Sequence, residues 1–140
     1  MNSIDRVREI FGRDRFATET TGIKIISVDN HTSLCSLQLG GCHCNARGVA
    51  MGGVVYTMAD FAAAIAANSE DIESGDLHWV SLDSTIHYLT AAPMGVTLVA
   101  KTQAFRQGSR TALYQTIIEN SDNGKCVAIV ETTFIRVDNV

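Results

Sequence analysis

The spacing of hydrophobic positions along the chain predicts two helices and six strands. Near the start, four apolar residues recur at helical spacing, which predicts an amphipathic helix over 3–11 with Ser3 as its N-cap: Ile4, Val7, Ile10 and Phe11. A second and strongly apolar stretch, 53–68, is also typical of a helix. The segments rich in β-branched and aromatic residues predict strands at about 22–28, 32–39, 78–90, 95–106, 110–120 and 125–137.

Short turns separate the predicted strands. Their residue types favour chain reversal, and they stand at Asp29-Asn30, Pro93-Met94-Gly95, Gln107-Gly108 and Asp122-Asn123-Gly124. Strands of this length joined by such turns favour one strongly curved antiparallel sheet. With a single long helix in the middle of the chain, the order of elements predicts an α+β fold in which about six strands wrap around that helix.

The long helix reads GVVYTMADFAAAIAAN, and Asp60 is its only charge. A helix that is apolar on every side is expected to be buried on every side. Its two faces nevertheless differ. The bulky face, suited to packing on the sheet, consists of Val54, Met58, Phe61 and Ile65. The other face, where small side chains let a backbone or a ligand approach, consists of Gly53, Thr57, Asp60, Ala64 and Ala67.

A carboxylate in the middle of such a helix requires an explanation, because burying an unpaired charge costs roughly several kcal/mol. One interpretation is a core aspartate that is hydrogen-bonded to a neighbouring strand or loop. We favour the other interpretation, in which Asp60 is a general base or a nucleophile whose pKa is tuned by partial desolvation.

The start of the same helix carries a glycine pair, Gly52-Gly53. Glycines allow close backbone approach, and the first N–H groups of a helix point outward with the positive end of the helix dipole behind them. Such a terminus can polarise a carbonyl group. Gly52 and Asp60 are eight residues apart, or roughly 12 Å along the helix axis, which is too far for one substrate carbonyl to meet both. A two-fold dimer would bring Asp60 of one chain to Gly52 of the other.

Composition narrows the class of protein. The 140 residues, of which 46% are hydrophobic, predict a single globular domain over 1–140. The net charge of −4 argues against nucleic acid or an anionic membrane as the main partner. The mixed charges near the start of the chain, Asp14 among them, are explained by a solvated helix face.

No secretory signal and no membrane-spanning run are evident, so we expect a cytoplasmic protein with free cysteines. The run Cys42-His43-Cys44 lacks the ligand spacing of a metal site, and no metal is expected.

These motifs together resemble those of the hotdog-fold acyl-CoA thioesterases of the PaaI-like, phenylacetyl-CoA type. The family pattern, Asn-x-x-Gly-x-x-His-Gly-Gly followed by an apolar helix with Asp, is matched by Asn45, Gly48, Gly52, Gly53 and Asp60. The resemblance extends over about 16–137, with further matches at 80–83, 86–89 and 105–110. It implies a hotdog fold, homodimers that often pair into tetramers, and sites formed between subunits.

The resemblance also implies roles for individual residues in thioester hydrolysis. Asp60 would be the general base or nucleophile, and the Gly52 N–H would polarise the thioester carbonyl. Asn45 would orient the attacking water or the carbonyl, and Ser81 would help to hold that water. The phosphates of CoA would meet a segment with two cations, made of Arg106, Gly108, Ser109 and Arg110. No cofactor is expected, because CoA enters as part of the substrate.

One position departs from the family pattern. Met51 stands where many relatives have His directly before the glycine pair, and a thioether donates no hydrogen bond. This departure keeps a second hypothesis open, a non-hydrolytic acyl-CoA-binding module on the same fold. For an enzyme, it implies instead a lower turnover, another group in place of the histidine, or a bulkier apolar acyl pocket. A dehydratase acting on carrier-bound acyl groups is disfavoured, because His43 is followed by Cys44-Asn45 and not by the Pro-Gly turn that those enzymes use.

Overall fold

Six antiparallel strands form one sheet in the order β1-β2-β4-β5-β6-β3 in the computed structural model, which describes residues 3–138. The strands are β1 (Lys24–Asp29), β2 (Thr32–Gln38), β3 (Trp79–Tyr88), β4 (Thr97–Gln107), β5 (Thr111–Asn120) and β6 (Cys126–Arg136). The two α-helices are α1 (Ser3–Phe11) and α2 (Gly52–Ala67). The predicted α+β hotdog fold, a long central helix wrapped by a curved sheet, is confirmed.

The sheet curves around α2 because its strands alternate between an inner and an outer face and carry bulges. On β2, Ser33, Cys35 and Leu37 are buried while their neighbours are more exposed. The register shifts within four of the five strand pairs, for example between Ser81 and Asp83 on β3. Such shifts are typical of β-bulges, which increase the local twist. The curvature lets strands from both halves of the sheet contact the same helix.

The bulky face of α2 forms the centre of the core. Met58 and Ile65 are completely buried, Phe61 is nearly so, and Val54 packs against the same cluster from a half-buried position. This face therefore packs as the sequence predicts.

Helix α1 packs on the same core. It buries Val7, Ile10 and Phe11, and the Phe11 ring meets the Phe61 ring edge to face with 6.0 Å between centroids. The predicted amphipathic helix is thus confirmed. A π-helical turn (Phe16–Thr21) follows it, and two 3₁₀ turns lie at Gly41–His43 and Ser69–Asp71. The sequence does not predict these turns, because elements this short show no hydrophobic period.

Three further predictions concern the chain as a whole. The four cysteines are free, and Cys35 is the buried one. Among residues 3–138, no helix combines the length and the apolar character needed to cross a bilayer. The first two and last two residues of the predicted 1–140 domain lie outside the described residues.

Candidate active site

Asp60 lies on a face of α2 that the sheet leaves open. The side chains of Thr57, Asp60 and Ala64 are half-buried, and Gly53 is exposed, whereas Ala67 is enclosed. The expectation that α2 is buried on every side is therefore wrong for this one face. The reason is that this part of the helix faces the segment 14–17, and a cavity remains between the two.

The groove contains a second carboxylate. A cavity of about 320 Å³ is lined by Asp14, Arg15, Phe16 and Ala17 from the segment after α1, and by Thr57, Asp60, Phe61 and Ala64 from α2. Burial raises the pKa of the Asp60 carboxyl above its ordinary range, and the nearby charge of Asp14 raises it further. Burial also raises the pKa of Asp14.

Within residues 3–138, the carboxylate of Asp60 makes no hydrogen bond and no ion pair. The interpretation of Asp60 as a core aspartate bonded to a strand or loop is therefore not what the structure contains. An unpaired and partly desolvated carboxylate that borders a cavity is the arrangement expected of a general base.

The start of α2 presents two free amides. Met51 is the N-cap residue, and its carbonyl accepts hydrogen bonds from the N–H groups of Val54 and Val55. In the described part of the chain, no acceptor meets the N–H groups of Gly52 and Gly53. They border a second cavity, of about 420 Å³, which includes Ala50, Val55, Tyr88 and Leu89 in its walls. These donors can polarise a carbonyl oxygen bound there.

Tyr88 holds the first turn of α2 in place. Its hydroxyl donates a hydrogen bond of 2.8 Å to the Gly52 carbonyl, and its ring lies directly against the Gly52 Cα. A Cβ at position 52 would come within 3.0 Å of the Tyr88 hydroxyl, whereas a Cβ at position 53 would meet nothing within 4 Å. A side chain at position 52 would therefore push against Tyr88, a contact that the sequence alone does not reveal.

The two cavities are distinct parts of one chain. Gly52 and Asp60 lie eight residues apart on the same helix, roughly 12 Å along its axis. The residues that line the Gly52 cavity and those that line the Asp60 cavity do not overlap. In a single chain, the free amides at the start of α2 and the carboxylate of Asp60 thus face different spaces.

Asn45 lies at the base of the loop before α2. Its side-chain oxygen accepts hydrogen bonds from the N–H groups of Arg47 at 2.9 Å and Val49 at 3.4 Å. Within the described residues its amide nitrogen has no partner, so it remains available as a donor. Asn45 therefore shapes the loop with one end of its side chain and leaves the other end free.

His43 has a structural position instead of a metal-binding one. Its Nδ1 accepts a hydrogen bond of 2.9 Å from the Gly40 N–H, so its Nε2 carries the proton and donates to the Thr21 carbonyl at 2.6 Å. Both ring nitrogens are used inside the protein. In residues 3–138, no three His, Cys, Asp or Glu side chains come together as metal ligands would.

Ser81 lies on β3, an edge strand of the sheet, and is exposed. It makes no hydrogen bond with its side chain in the described chain and is not among the residues that line the cavities of Gly52 or Asp60. The apolar side chains of Val80 and Leu82 on the same strand are also exposed, Leu82 to 60%. The fold of one chain does not bring Ser81 into either part of the site.

Gly108, Ser109 and Arg110 form the turn between β4 and β5, and Arg106 lies in the last residues of β4. The turn lies at the end of the sheet where Ile135 pairs with both Thr111 and Val80. Val80 marks this end of β3. Tyr88, which contacts Gly52, follows Val80 by eight residues, or about 26 Å at the rise of a strand. The guanidinium groups of Arg106 and Arg110 have no ion-pair partner within residues 3–138.

Two residues of this region are not predicted from the sequence. Asp14, expected on a solvated helix face, lies beyond the end of α1 and lines the Asp60 cavity. Tyr88 lines the Gly52 cavity. Neither stands at a spacing that signals its place, because both reach α2 only through the tertiary fold. Met51 is 53% exposed at the start of the helix, where the family pattern has His.

Known proteins that resemble this chain in sequence include thioesterases. The thioesterase superfamily matches residues 47–127 of the chain, a stretch that includes Gly52 and Asp60. The acyl-coenzyme A thioesterase PaaI of Escherichia coli K12 is 32% identical over 108 residues, which cover 77% of this chain and 73% of that protein.

Solved structures extend the likeness to nearly the whole chain. The E. coli PaaI protein from the phenylacetic acid degradation operon superposes with a TM-score of 0.87 at 27% identity, covering 97% of this chain and 94% of that one. A mutant of the phenylacetic acid degradation protein PaaI from Thermus thermophilus superposes with a TM-score of 0.78 at 25% identity, covering 86% of this chain and 97% of that one.

Proposed function

Because this chain belongs to the thioesterase superfamily, as a hotdog-fold and PaaI-like thioester hydrolase, we propose that it converts an acyl- or aryl-acyl-CoA to the free acid and CoA. The observation that carries the proposal is the unpaired and partly desolvated carboxylate of Asp60 beside an open cavity. The PaaI relatives act in phenylacetic acid degradation according to their names, which supports an aryl-acyl group as one candidate substrate.

In the proposed reaction, Asp60 takes a proton from water while the water oxygen attacks the thioester carbonyl carbon. The developing negative charge on the carbonyl oxygen is stabilised by the N–H of Gly52. The carbon–sulfur bond then breaks, and CoA leaves as the thiolate. A direct attack by the Asp60 carboxylate, followed by hydrolysis of the resulting anhydride, uses the same groups. Asn45 would orient the water or the carbonyl through its free amide nitrogen.

The active unit would be a two-fold dimer. Asp60 and Gly52 of one chain face separate cavities, so each site needs Asp60 from one chain and Gly52 from the other. The edge strand β3, with its exposed Val80 and Leu82, is the surface we assign to this contact. Pairing of two β3 strands would also cover Ser81 and bring it towards the site.

The β4–β5 turn would bind the phosphates of CoA. Two unpaired guanidinium groups, those of Arg106 and Arg110, suit phosphate oxygens in charge and in geometry. On β3 of the same chain, Val80 at the turn's end of the sheet and Tyr88 at the Gly52 end are about 26 Å apart along the strand. In a dimer of antiparallel β3 strands, the turn of one chain would lie towards the Gly52 end of the other.

The division of the site between two chains can be tested with heterodimers. Asp60→Asn removes the base, and Gly52→Val displaces Tyr88 and disturbs the first turn of α2. We expect each homodimer to lose at least about 100-fold in thiol release from acyl-CoA substrates. A heterodimer of the two variants, purified through two different tags, has one site without a substitution and should recover about half of the wild-type rate.

A heterodimer as inactive as both homodimers would place the whole site in one chain and contradict the shared arrangement. Asp60→Asn with undiminished turnover would contradict the role of Asp60 itself. Asp122→Asn, in the exposed turn between β5 and β6, is the matched control for the loss of one carboxylate and should retain activity.

The two roles open to Asp60 are distinguished by a single turnover in ¹⁸O-labelled water. If Asp60 is the nucleophile and water opens the anhydride at the Asp60 carbonyl, enzyme in excess over substrate incorporates the label into the Asp60 carboxylate. If water attacks the acyl carbonyl of the anhydride instead, trapping the anhydride on Asp60 during turnover identifies the nucleophile. If Asp60 is the general base, the label appears in the product acid alone. Mass spectrometry of the peptide that contains Asp60 reads the result.

A binding module without activity is the second candidate, and Met51 is the observation that favours it. The side chain is exposed at the helix start and donates no hydrogen bond. Binding of acyl-CoA without thiol release above background would support this candidate against the enzyme. Met51→His is the complementary test: a rise in turnover would show that the histidine of relatives assists the reaction.

A further inference from the structure

We propose that Asp14 is a positioning residue for Asp60: its carboxylate borders the same cavity, and its negative charge makes Asp60 a stronger base than an isolated aspartate. This inference rests on the proposed function. It concerns a residue outside the segment 47–127 that the thioesterase superfamily matches.

The two carboxylates reach the cavity from different elements. Asp60 is in the middle of α2, and Asp14 follows α1 directly before the π-helical turn. Within residues 3–138 neither carboxylate has a hydrogen-bond or ion-pair partner. Two like charges in a partly desolvated cavity repel each other, which disfavours the ionised form of both and raises their affinity for a proton. An unpaired Asp14 therefore acts on Asp60 through its charge.

The backbone around Asp14 is held firmly. The Asp14 N–H donates to the Phe11 carbonyl at 3.0 Å, and the Asp14 carbonyl accepts from the Thr18 N–H at 2.9 Å. Phe11 in turn packs edge to face on Phe61, the residue next to Asp60. These contacts link the position of Asp14 to that of α2.

The far end of the segment is also anchored. The buried His43 donates to the carbonyl of Thr21, the last residue of the π-helical turn. Asp14 is thus carried by a segment attached to the core on one side and to the loop before α2 on the other. These attachments hold the backbone of Asp14 beside the cavity that Asp60 lines.

The other charges near Asp60 do not cancel this effect. Arg15 also lines the cavity, but its Nε is bonded to the Glu19 carboxylate at 2.9 Å. Helix α2 carries no charge besides Asp60. Among residues 3–138, the strands that pack on α2 contribute no titratable group to this cavity. The pKa of Asp60 is raised first by burial and then by Asp14.

The test combines a pH profile with a direct titration. In wild type, Asp14→Asn, Asp14→Glu and the control Asp122→Asn, kcat/KM for one acyl-CoA is measured against pH, and the Asp60 carboxyl is titrated by NMR with ¹³C-labelled aspartate. In Asp14→Asn, we expect both the acid limb of kcat/KM and the Asp60 titration to move to lower pH. Asp14→Glu and Asp122→Asn should leave both near their wild-type positions.

Three results would overturn the inference, and they differ in what else they affect. An Asp60 titration that is the same in wild type and Asp14→Asn refutes the role of Asp14, while the catalytic role of Asp60 stands. Full turnover by Asp60→Asn refutes the proposed function and the role of Asp14 with it. A purely structural role of Asp14 would lower the rate at every pH without moving the acid limb, and this result also contradicts the inference.

Discussion

At the scale of single residues, the protein holds the carboxyl group of Asp60 in a partly buried position, where burial disfavours the charged form. The pKa of Asp60 is raised above 3.8, the ordinary value, by burial and by Asp14. The folded chain therefore holds the Asp60 proton up to a higher pH than the unfolded chain does. The contribution of Asp60 to the free energy of unfolding therefore falls as the pH rises through the pKa that Asp60 has in the folded state. The same environment that strengthens the base thus weakens the fold at neutral pH.

We predict that Asp60→Asn unfolds at a higher temperature than wild type at pH 7, although it loses activity. The substitution removes a charge that the folded state disfavours. The gain should shrink as the pH is lowered through the raised pKa of Asp60, because Asp60 then takes up its own proton. Thermal unfolding followed by circular dichroism measures the melting temperatures at pH 7 and at lower pH. Asp122→Asn controls for the change in net charge. A lower melting temperature for Asp60→Asn at pH 7 would contradict the assignment of an unpaired charge.

A second prediction at this scale concerns the two glycines at the start of α2. Alanine at position 53 meets nothing within 4 Å, whereas alanine at position 52 would lie 3.0 Å from the Tyr88 hydroxyl. We expect Gly52→Ala to be less stable than Gly53→Ala by about 1 kcal/mol, the contribution of one hydrogen bond. In a Tyr88→Ala background the difference should vanish, as denaturant unfolding in a double-mutant cycle would show. Equal stabilities with Tyr88 present would contradict the contact.

At the scale of elements, the site depends on how loops attach to α2. The loop over 40–51 ends in the N-cap Met51, whose N–H donates to the His43 carbonyl at 2.8 Å. The His43 ring joins this loop to the π-helical turn by a hydrogen bond to Thr21. One buried side chain therefore connects the helix start that carries Gly52 with the segment that carries Asp14.

We predict that His43→Ala lowers the free energy of unfolding by about 1–3 kcal/mol. The substitution leaves the Gly40 N–H and the Thr21 carbonyl without their partner in a buried position. Urea unfolding measures the loss, and Cys42→Ala, at the exposed neighbouring position, is the control. If His43→Ala is as stable as the control, the histidine does not hold the two segments together.

At the scale of the whole molecule, the sheet ends in two edge strands of different character. On β3 the outward apolar side chains include Leu82, 60% exposed, whereas β1 at the opposite edge offers Ile26, 46% exposed. An edge strand with exposed apolar residues is prone to pair with another strand. Leu82 is more exposed than Ile26, and Gly52 and Asp60 of one chain face separate cavities; both observations support the proposed dimer contact at β3.

We predict that Leu82→Lys weakens the dimer and reduces thiol release together, by about 10-fold or more at low protein concentration. Activity should recover as the concentration rises, because association restores the shared site. Sedimentation velocity and the thiol assay, run on the same samples, test this. Ile26→Lys at the opposite edge is the matched control and should remain dimeric and active. An active Leu82→Lys monomer would contradict the shared site.

The order of elements and the chemistry on α2 follow from local sequence. Hydrophobic spacing identifies α1, the long apolar run identifies α2, and segments rich in β-branched and aromatic residues between turn signals identify the six strands. Asp60 stands out for a similar reason: it is the only charge on an apolar helix. The glycine pair before it is a local signal as well.

Only the tertiary structure decided what surrounds these residues. Asp14 approaches Asp60, and Tyr88 approaches Gly52, across separations of 46 and 36 residues in the chain, which no local pattern encodes. The open face of α2 is likewise a result of where the sheet stops. Neighbours in the sequence determine whether a residue lies in a helix or a strand. Its tertiary contacts depend on how distant parts of the chain pack together, and the environment of Asp60 consists of such contacts.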